Sequence, residues 1–281
     1  MSAPGVEILV IGNEVLAGNV LDTNSHWLCR ELADRGARVT RVTVLPDEPA
    51  AIGETLRVAL SRGPALILTC GGLGPTADDL TVAAIAAALN RPLHEHPQAY
   101  AMIRDFYARL FAHGDVTTPT MTEARAKMAQ MPPDAEPLTN TVGAAPGVLL
   151  QEEPTLIVCL PGVPAELKDI FTNALWPRLE ASLQGQAYGE RKIATDCWDE
   201  SLLAPAVDAV ARRHPAVYVK SRAQVYGSGI ADFVTLAARG RDAVEVSRLL
   251  DAAEADTIAA LAAVGIRAGA TVGAEGDVNG C

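Results

Sequence analysis

The chain has no apolar run approaching 18 residues, and its N-terminus, MSAPGVEILVIG, has no basic stretch ahead of the apolar one. Neither a membrane span nor a signal peptide is therefore expected. Its five cysteines (Cys29, Cys70, Cys159, Cys197, Cys281) are odd in number, widely spaced and free of any C-x-x-C pair. That speaks against a disulfide framework or a zinc knuckle and fits a reducing cytoplasm. Cys70 and Cys159 close apolar runs and read as small buried hydrophobes. Basic residues number 23 against 34 acidic ones, a net charge of −11, and no Lys/Arg stripe offsets it. Nucleic acid is thus disfavoured as a partner. No G-x-S-x-G elbow, internal repeat or substantial low-complexity block occurs.

A length of 281 residues, 49% hydrophobic and 20% charged, suits a soluble chain with one large domain and a smaller one. The first 90 residues alternate strand and helix signals. VEILVI (6–11), ARVTRVTVL (37–45) and ALILTC (65–70) read as strands, the first and last apolar enough to be covered on both faces. Between them, Asp22-Thr23-Asn24 can cap a helix reaching about Arg35 before Gly36, and PDEP opens another near 49–62. This βαβαβα order predicts a mostly parallel sheet between helix layers, with right-handed crossovers.

Further on, a short strand at RPLHE, helices near 97–112 and 119–130, a GVLLQ/TLIVCL hairpin and a helix opening at Pro164 are expected. The polar, glycine-bearing stretch 183–189 suggests a boundary. Beyond it a β-α-β-β-α pattern predicts a small α+β domain. The expected division is 1–184, 185–268 and a flexible tail at 269–281.

The chemistry concentrates at CGGLGPTADDLT (70–81), a glycine turn between a strand and a helix. Gly72-Leu73-Gly74-Pro75-Thr76-Ala77 satisfies the dinucleotide fingerprint G-x-G-x-x-A, and Glu95 stands near the ribose-binding position. Against that, the turn follows the third strand, Pro75 stiffens it, and Asp78 and Asp79 would repel a pyrophosphate at the helix end. One of the two acids is expected to cap that helix. Yet all three strand ends deliver carboxylates to one sheet edge: Glu14 after the first, Asp47 and Glu48 after the second, Asp78 and Asp79 after the third. Hard carboxylate oxygens suit Mg²⁺, which binds through one or two of them plus substrate phosphates. The acids would hold a cation, the cation a phosphate, and the glycine N–H groups the rest of the anion.

CGGLGPTADDLT closely resembles the GGxGPTxDDxT signature of the CinA amino-terminal domain, a branch of the molybdopterin-binding domain superfamily. GNEVLAGNVLDTN, LTNTVGAAPGVLL and LPGVPAELKDIF resemble three further motifs of that branch, so the likeness covers most of residues 6–180. It implies a three-layer α/β/α fold followed by a small α+β domain, and a phosphorylated nucleotide-like or pterin-like ligand. It further implies hydrolysis of ADP-ribose or related nucleoside-diphosphate sugars with a divalent metal, Mg²⁺ foremost, in some members with K⁺. Carried over by motif, Gly71, Gly72, Gly74 and Thr76 would cradle phosphate. Asp47 and Asp79 would be catalytic and, with Glu14 and Asp78, hold the metal. Asn140, Gly143, Pro146, Gly147, Pro161 and Gly162 would line the pocket. Superfamily relatives are oligomers, so a homodimer is expected.

Asn13 departs from the pattern, standing where many members have Asp. No serine-centred amidase segment is present, so the amidase activity of two-enzyme members is not implied. The rival readings are binding or adenylylation of molybdopterin or a nucleotide, as in molybdenum cofactor metabolism, and a module that binds without catalysis. His94-Glu95-His96 reads as solvated surface, and Lys220-Ser221-Arg222 as a structural group rather than a phosphate contact.

Overall fold

The computed structural model describes residues 5–183, 187–197, 199–222 and 233–270. The chain divides into two compact units, with the break between Gly185 and Gln186. The first unit grows from β1 (Gly5–Ile11), whose side chains alternate between two buried clusters. Val6, Ile8 and Val10 pack with Leu28, Leu32 and Phe171; Leu9 and Ile11 pack with Ile52, Leu56 and Ile85. A strand apolar on both faces needs a helix layer on each, and receives one.

After β1 come α1 (Asn13–Leu16), α2 (Thr23–Asp34), β2 (Arg38–Leu45), α3 (Pro49–Ser61), β3 (Leu66–Cys70) and α4 (Thr81–Ala88). The chain continues through β4 (His94–Glu95), α5 (Pro97–His113), α6 (Glu123–Lys127), β5 (Gln130–Met131), β6 (Glu136–Leu138), β7 (Gly147–Glu152) and β8 (Thr155–Leu160). It closes with α7 (Pro164–Asp169), a π-helical segment (Ile170–Leu175) and α8 (Trp176–Leu183). The main sheet has the order β2-β1-β3-β8-β7-β6. Strands β2, β1, β3 and β8 run parallel, whereas β7 turns back against β8 and β6 against β7. The carboxyl ends of four strands therefore share one edge, and the reversed β7 brings its own start there: Val148 lies opposite Cys159.

Two elements differ from expectation. The helix predicted over 119–130 is only Glu123–Lys127: Pro119 precedes it, the Thr118 hydroxyl accepts from Thr120 N at 3.1 Å, and Thr122 caps it. Gln130 instead pairs with Glu95 in a two-stranded ladder. The helix after Pro164 contains a π segment, in which Trp176 N reaches back five residues to Phe171 O. Pro177 cannot donate to the carbonyl four residues back, and the five-spaced pairs Ile170/Leu175 and Phe171/Trp176 are all buried.

The second unit comprises β9 (Ala187–Thr195), α9 (Glu200–Arg213), β10 (Val217–Arg222), β11 (Phe233–Gly240), α10 (Ala243–Ala263) and β12 (Ala268–Ala270). Its antiparallel sheet has the order β10-β11-β9-β12. Leu203, Val207, Val246, Leu250 and Leu261 of the two helices pack on Ile193, Val234 and Leu236. Strand β9 begins inside the polar stretch read as a boundary, and β12 occupies the start of the segment expected to be a tail; residues 271–281 lie outside the described residues. Ser221, between Lys220 and Arg222, donates to Glu200 Oε1 at 2.7 Å. Among the described residues, no helix is long and apolar enough to cross a membrane.

Candidate functional site

Parallel strands carry the loops at their carboxyl ends to one edge of the sheet, and a cleft of about 380 Å³ opens there. Of the residues singled out by sequence, Glu14, Asp47, Asp78, Asp79, Gly71, Gly72, Gly74, Pro161 and Gly162 line it. Asn140, Gly143, Pro146 and Gly147 do not, and Thr76 stands just behind the rim.

The glycine turn is locked to the sheet on both sides. Gly71 and Gly72 have φ of +106° and +70°, a region that L side chains rarely adopt. Gly71 N donates to Leu160 O at 3.0 Å, and the buried Thr81 hydroxyl donates to Gly71 O at 2.8 Å. Gly71 therefore cannot offer its N–H to a ligand, as the sequence reading expected of it. The Thr76 N–H is likewise committed, to Asp79 Oδ2 at 2.9 Å. Among the described residues, the uncommitted N–H groups of the Gly71–Gly74 segment are those of Gly72, Leu73 and Gly74, so the anion seat is shorter than expected.

The Asp pair does not cap α4. The cap position is Leu80, with no side-chain hydrogen bond, and the helix begins at Thr81. Asp79 instead closes the loop on itself: Thr76 N and Oγ1 donate to its Oδ2, at 2.9 and 2.7 Å, while Asp79 N donates to Thr76 O at 3.2 Å. The Thr76 hydroxyl also faces Asp78 Oδ1, though its one proton can serve only one carboxylate at a time. That hydroxyl and the backbone hold the Asp78 carboxyl below its usual range, with Lys127 adding to the effect. Lys127 Nζ donates to Thr76 O from behind the loop. Across the cleft, Asn13 N donates to Asp47 Oδ2 at 2.7 Å, which orients that acid at the start of α1.

Among the described residues, no three His, Cys, Asp or Glu side chains converge to hold a metal ion alone. A Mg²⁺ ion does not require that, since one or two carboxylates with phosphate oxygens suffice. The donor set fits this mode. Asp47 and Asp79 are each oriented by a backbone N–H on one oxygen, and the other oxygen has no hydrogen bond among the described residues. No Lys, Arg or His is among the described residues lining the cleft; Lys127, tied to Thr76 O, borders an adjoining hollow on the other side of Gly72–Gly74 and Asp79.

The residues of the N-x-x-G-x-A-P-G motif build the opposite wall from behind. Asn140 Oδ1 accepts from Val142 N and Gly143 N at 3.0 and 2.8 Å; its Nδ2 donates to Ala145 O at 2.8 Å and to Glu166 Oε2 at 2.6 Å. A Cβ on Gly143 would stand 2.1 Å from the Glu166 carboxylate, and one on Gly147 would stand 2.9 Å from Ile170. These glycines make room for packing, and Pro146 is buried, which is why none of them lines the cleft. The motif's product is Glu166, a half-buried carboxyl on the cleft wall that the sequence reading did not assign a role. Its place as the last residue of LPGVPAE was the available signal.

Burial pushes the Glu166 carboxyl above the ordinary 4.5, against the opposing hydrogen bond from Asn140. A raised folded-state pKa means the protonated form is favoured in the fold. The contribution to stability is then complete below the ordinary pKa and is lost as pH rises through the folded one. Glu166→Gln keeps an acceptor for Asn140 and abolishes the titration. Denaturation midpoints from pH 4 to 7 are expected to show wild type losing ground to the variant just above the ordinary carboxyl range; a pH-independent difference contradicts this.

Of the remaining lining residues, Leu73, Ala144, Ala145 and Val163 lie inside the quoted motifs without having been singled out, whereas Tyr107 and Met128 had no sequence signal, because α5 and the end of α6 reach the cleft only through the fold.

Fold and site together define an α/β domain whose ligand cleft opens at the carboxyl edge of a mixed sheet. A family profile described as "Probable molybdopterin binding domain" matches residues 7–181. A protein of Aeropyrum pernix is 42% identical over 221 residues, 79% of this chain and 80% of its own. One of Pyrococcus abyssi is 39% identical over 207 residues, 74% and 81% of the two chains. The crystal structure of CinA from Thermoplasma acidophilum matches with a TM-score of 0.56 at 33% identity, covering 64% of this chain and 98% of that one. The chain belongs to the molybdopterin-binding domain family, and its amino-terminal domain is CinA-like.

Proposed function

We propose that the cleft binds a small molecule carrying linked phosphates, a nucleoside-diphosphate sugar such as ADP-ribose, and hydrolyses its pyrophosphate. The observation that carries this is the pairing of a free N–H seat, Gly72 to Gly74, with five lining carboxyl groups, Glu14, Asp47, Asp78, Asp79 and Glu166, and no basic side chain among the described lining residues. An anion is stable in such a place only with a cation between it and the acids. Asp47 and Asp79 would hold that cation through their uncommitted oxygens, with Glu14 and Asp78 beside them. When bound, a divalent ion supplies neutralisation of the charge that builds up on the phosphates and a lowered pKa for water. The chain's own part is positional. The Gly72, Leu73 and Gly74 N–H groups orient non-bridging oxygens, and the loop hydrogen bonds of Asp47 and Asp79 hold those carboxylates ready without reorganisation. Water adds to one phosphorus, the P–O–P bond breaks, and two monophosphates leave.

Incubation with ADP-ribose and Mg²⁺ is expected to release AMP and ribose 5-phosphate in equal amounts, and no release without a divalent ion. Tight nucleotide binding with no product would refute hydrolysis and leave a binding module. The family description favours one second reading, a pterin handled in the same cleft; transfer of an adenylyl group from ATP to a molybdopterin, with release of pyrophosphate, would support that reading instead.

A further inference from the structure

The cleft lining is of two chemical kinds. Besides the glycines and the acids it holds Leu73 of the turn itself, Tyr107, Met128, Ala144 and Ala145, which gather in one apolar cluster and whose side chains, Tyr107 apart, carry no hydrogen-bonding group except a thioether. Tyr107 comes from α5 and is half-exposed. One face of its ring is braced by Arg125, which does not itself line the cleft: the guanidinium carbon stands 3.6 Å from the ring centroid, within stacking contact. Arg125 itself is fixed, since its Nη1 donates to Thr118 O at 2.9 Å and Thr120 O at 2.8 Å. Phe106 meets the Tyr107 ring edge-on, centroids 5.8 Å apart at 87°. The ring is therefore a preorganised flat surface, with few rotamers left to lose when something stacks on it.

We propose that Tyr107 is the platform on which the planar heteroaromatic end of the ligand stacks, placing it in the apolar part of the cleft while its phosphate occupies the glycine turn. The proposal rests on the phosphate-ligand reading above but not on hydrolysis. It makes two statements about specificity. A flat ring is required, because an aliphatic group gains no face-to-face contact. The identity of the ring is weakly discriminated by the stack itself, because stacking is tolerant of ring type; the polar side chain beside Ala144 and Ala145 is Glu166, whose Oε2 already accepts from Asn140. A purine and a pterin are then both accepted. Arg125 is a positioning residue that acts through the ring.

The test is calorimetric titration in Mg²⁺ with AMP and 6-hydroxymethylpterin phosphate, each against ribose 5-phosphate, which has the phosphate and no ring. Wild type is expected to bind both ring-bearing probes more tightly. Tyr107→Leu, which keeps apolar volume in place of the flat face, is expected to weaken them by about tenfold or more, in line with the loss of a stacked base. Ribose 5-phosphate affinity should stay unchanged. Tyr107→Phe should behave as wild type, and Arg125→Met should fall between the two. The proposal is overturned if wild type shows no preference for a ring, or if Tyr107→Leu binds AMP as wild type does. It is overturned equally if the variant weakens ribose 5-phosphate as much as AMP, since that is loss of the cleft and not of the platform. Tyr107-dependent AMP binding in a protein that does not cleave ADP-ribose would sink hydrolysis and sustain the platform; cleavage that Tyr107→Leu leaves untouched would do the reverse.

Discussion

Asp79→Asn is expected to leave the fold standing and to lower ADP-ribose turnover about a hundredfold or more, equivalent to the loss of ~3 kcal/mol of electrostatic stabilisation. The substitution separates the two things Asp79 does. Its Oδ2 closes the turn by accepting from Thr76 N and Oγ1 at 2.9 and 2.7 Å, and the carbonyl oxygen of Asn accepts the same bonds. Stability should thus change by about 1 kcal/mol or less, as at most surface sites. What disappears is the negative charge facing the cleft. Asp47→Asn should behave alike, since its tie to Asn13 N at 2.7 Å needs only an acceptor. The double variant should lose less than the product of the single losses if both acids hold one ion. Rates across a Mg²⁺ series, with urea midpoints alongside, make the measurement. Full activity in both single variants would reduce the acids to loop fasteners.

Gly71→Ala should act in the opposite way, on the fold first. A Cβ there would lie 2.2 Å from Ile11 O and 3.3 Å from Ile11 C, both backbone atoms of the neighbouring strand β1, at a φ of +106°. The residue cannot move aside, because its N–H is tied to Leu160 O and its carbonyl to the Thr81 hydroxyl. Unfavourable backbone conformation costs about 1–3 kcal/mol, and the clash adds to it, so a loss of roughly 3 kcal/mol or more is expected in urea unfolding. Gly74→Ala is the control. The atom it would meet, at 2.6 Å, is Asp79 Oδ2, a side-chain oxygen that can shift at the expense of its bonds from Thr76 rather than a backbone atom of the sheet, and its φ lies outside the left-handed region. If the two variants unfold at the same urea concentration, the locked turn is not what holds this edge together.

Much of the first unit was legible because β1 and β3 are apolar on both faces, a pattern that only a doubly covered strand can bury. From the parallel order it followed that Glu14, Asp47 and Asp79 would meet at one edge, and all three line the cleft. The role of the Asp pair was not legible. An acid before a helix reads as a cap, but here Thr81 itself is buried and bonded to Gly71 O, which sets the helix start beyond the reach of Asp79. Nor was the commitment of Gly71 N–H to Leu160 O, which exists only because β8 lies beside β3. Asn140 and Tyr107 show the same limit in another form. Each has its meaning through a partner on a different segment, Glu166 in one case and Arg125 in the other, and local pattern says nothing about such pairs.

The placing of β8 between β3 and β7 also matters while the chain is being made. Leu66 pairs with Leu156, ninety positions later, and the ladder continues to Cys70 with Leu160. Ribosomes add about 5–20 residues per second, so β3 waits on the order of ten seconds for its neighbour. Through that interval LILTC, every residue of it buried in the finished protein, presents an open backbone edge. The strand that supports the glycine turn is in this way open to pairing with another chain until β8 has been made.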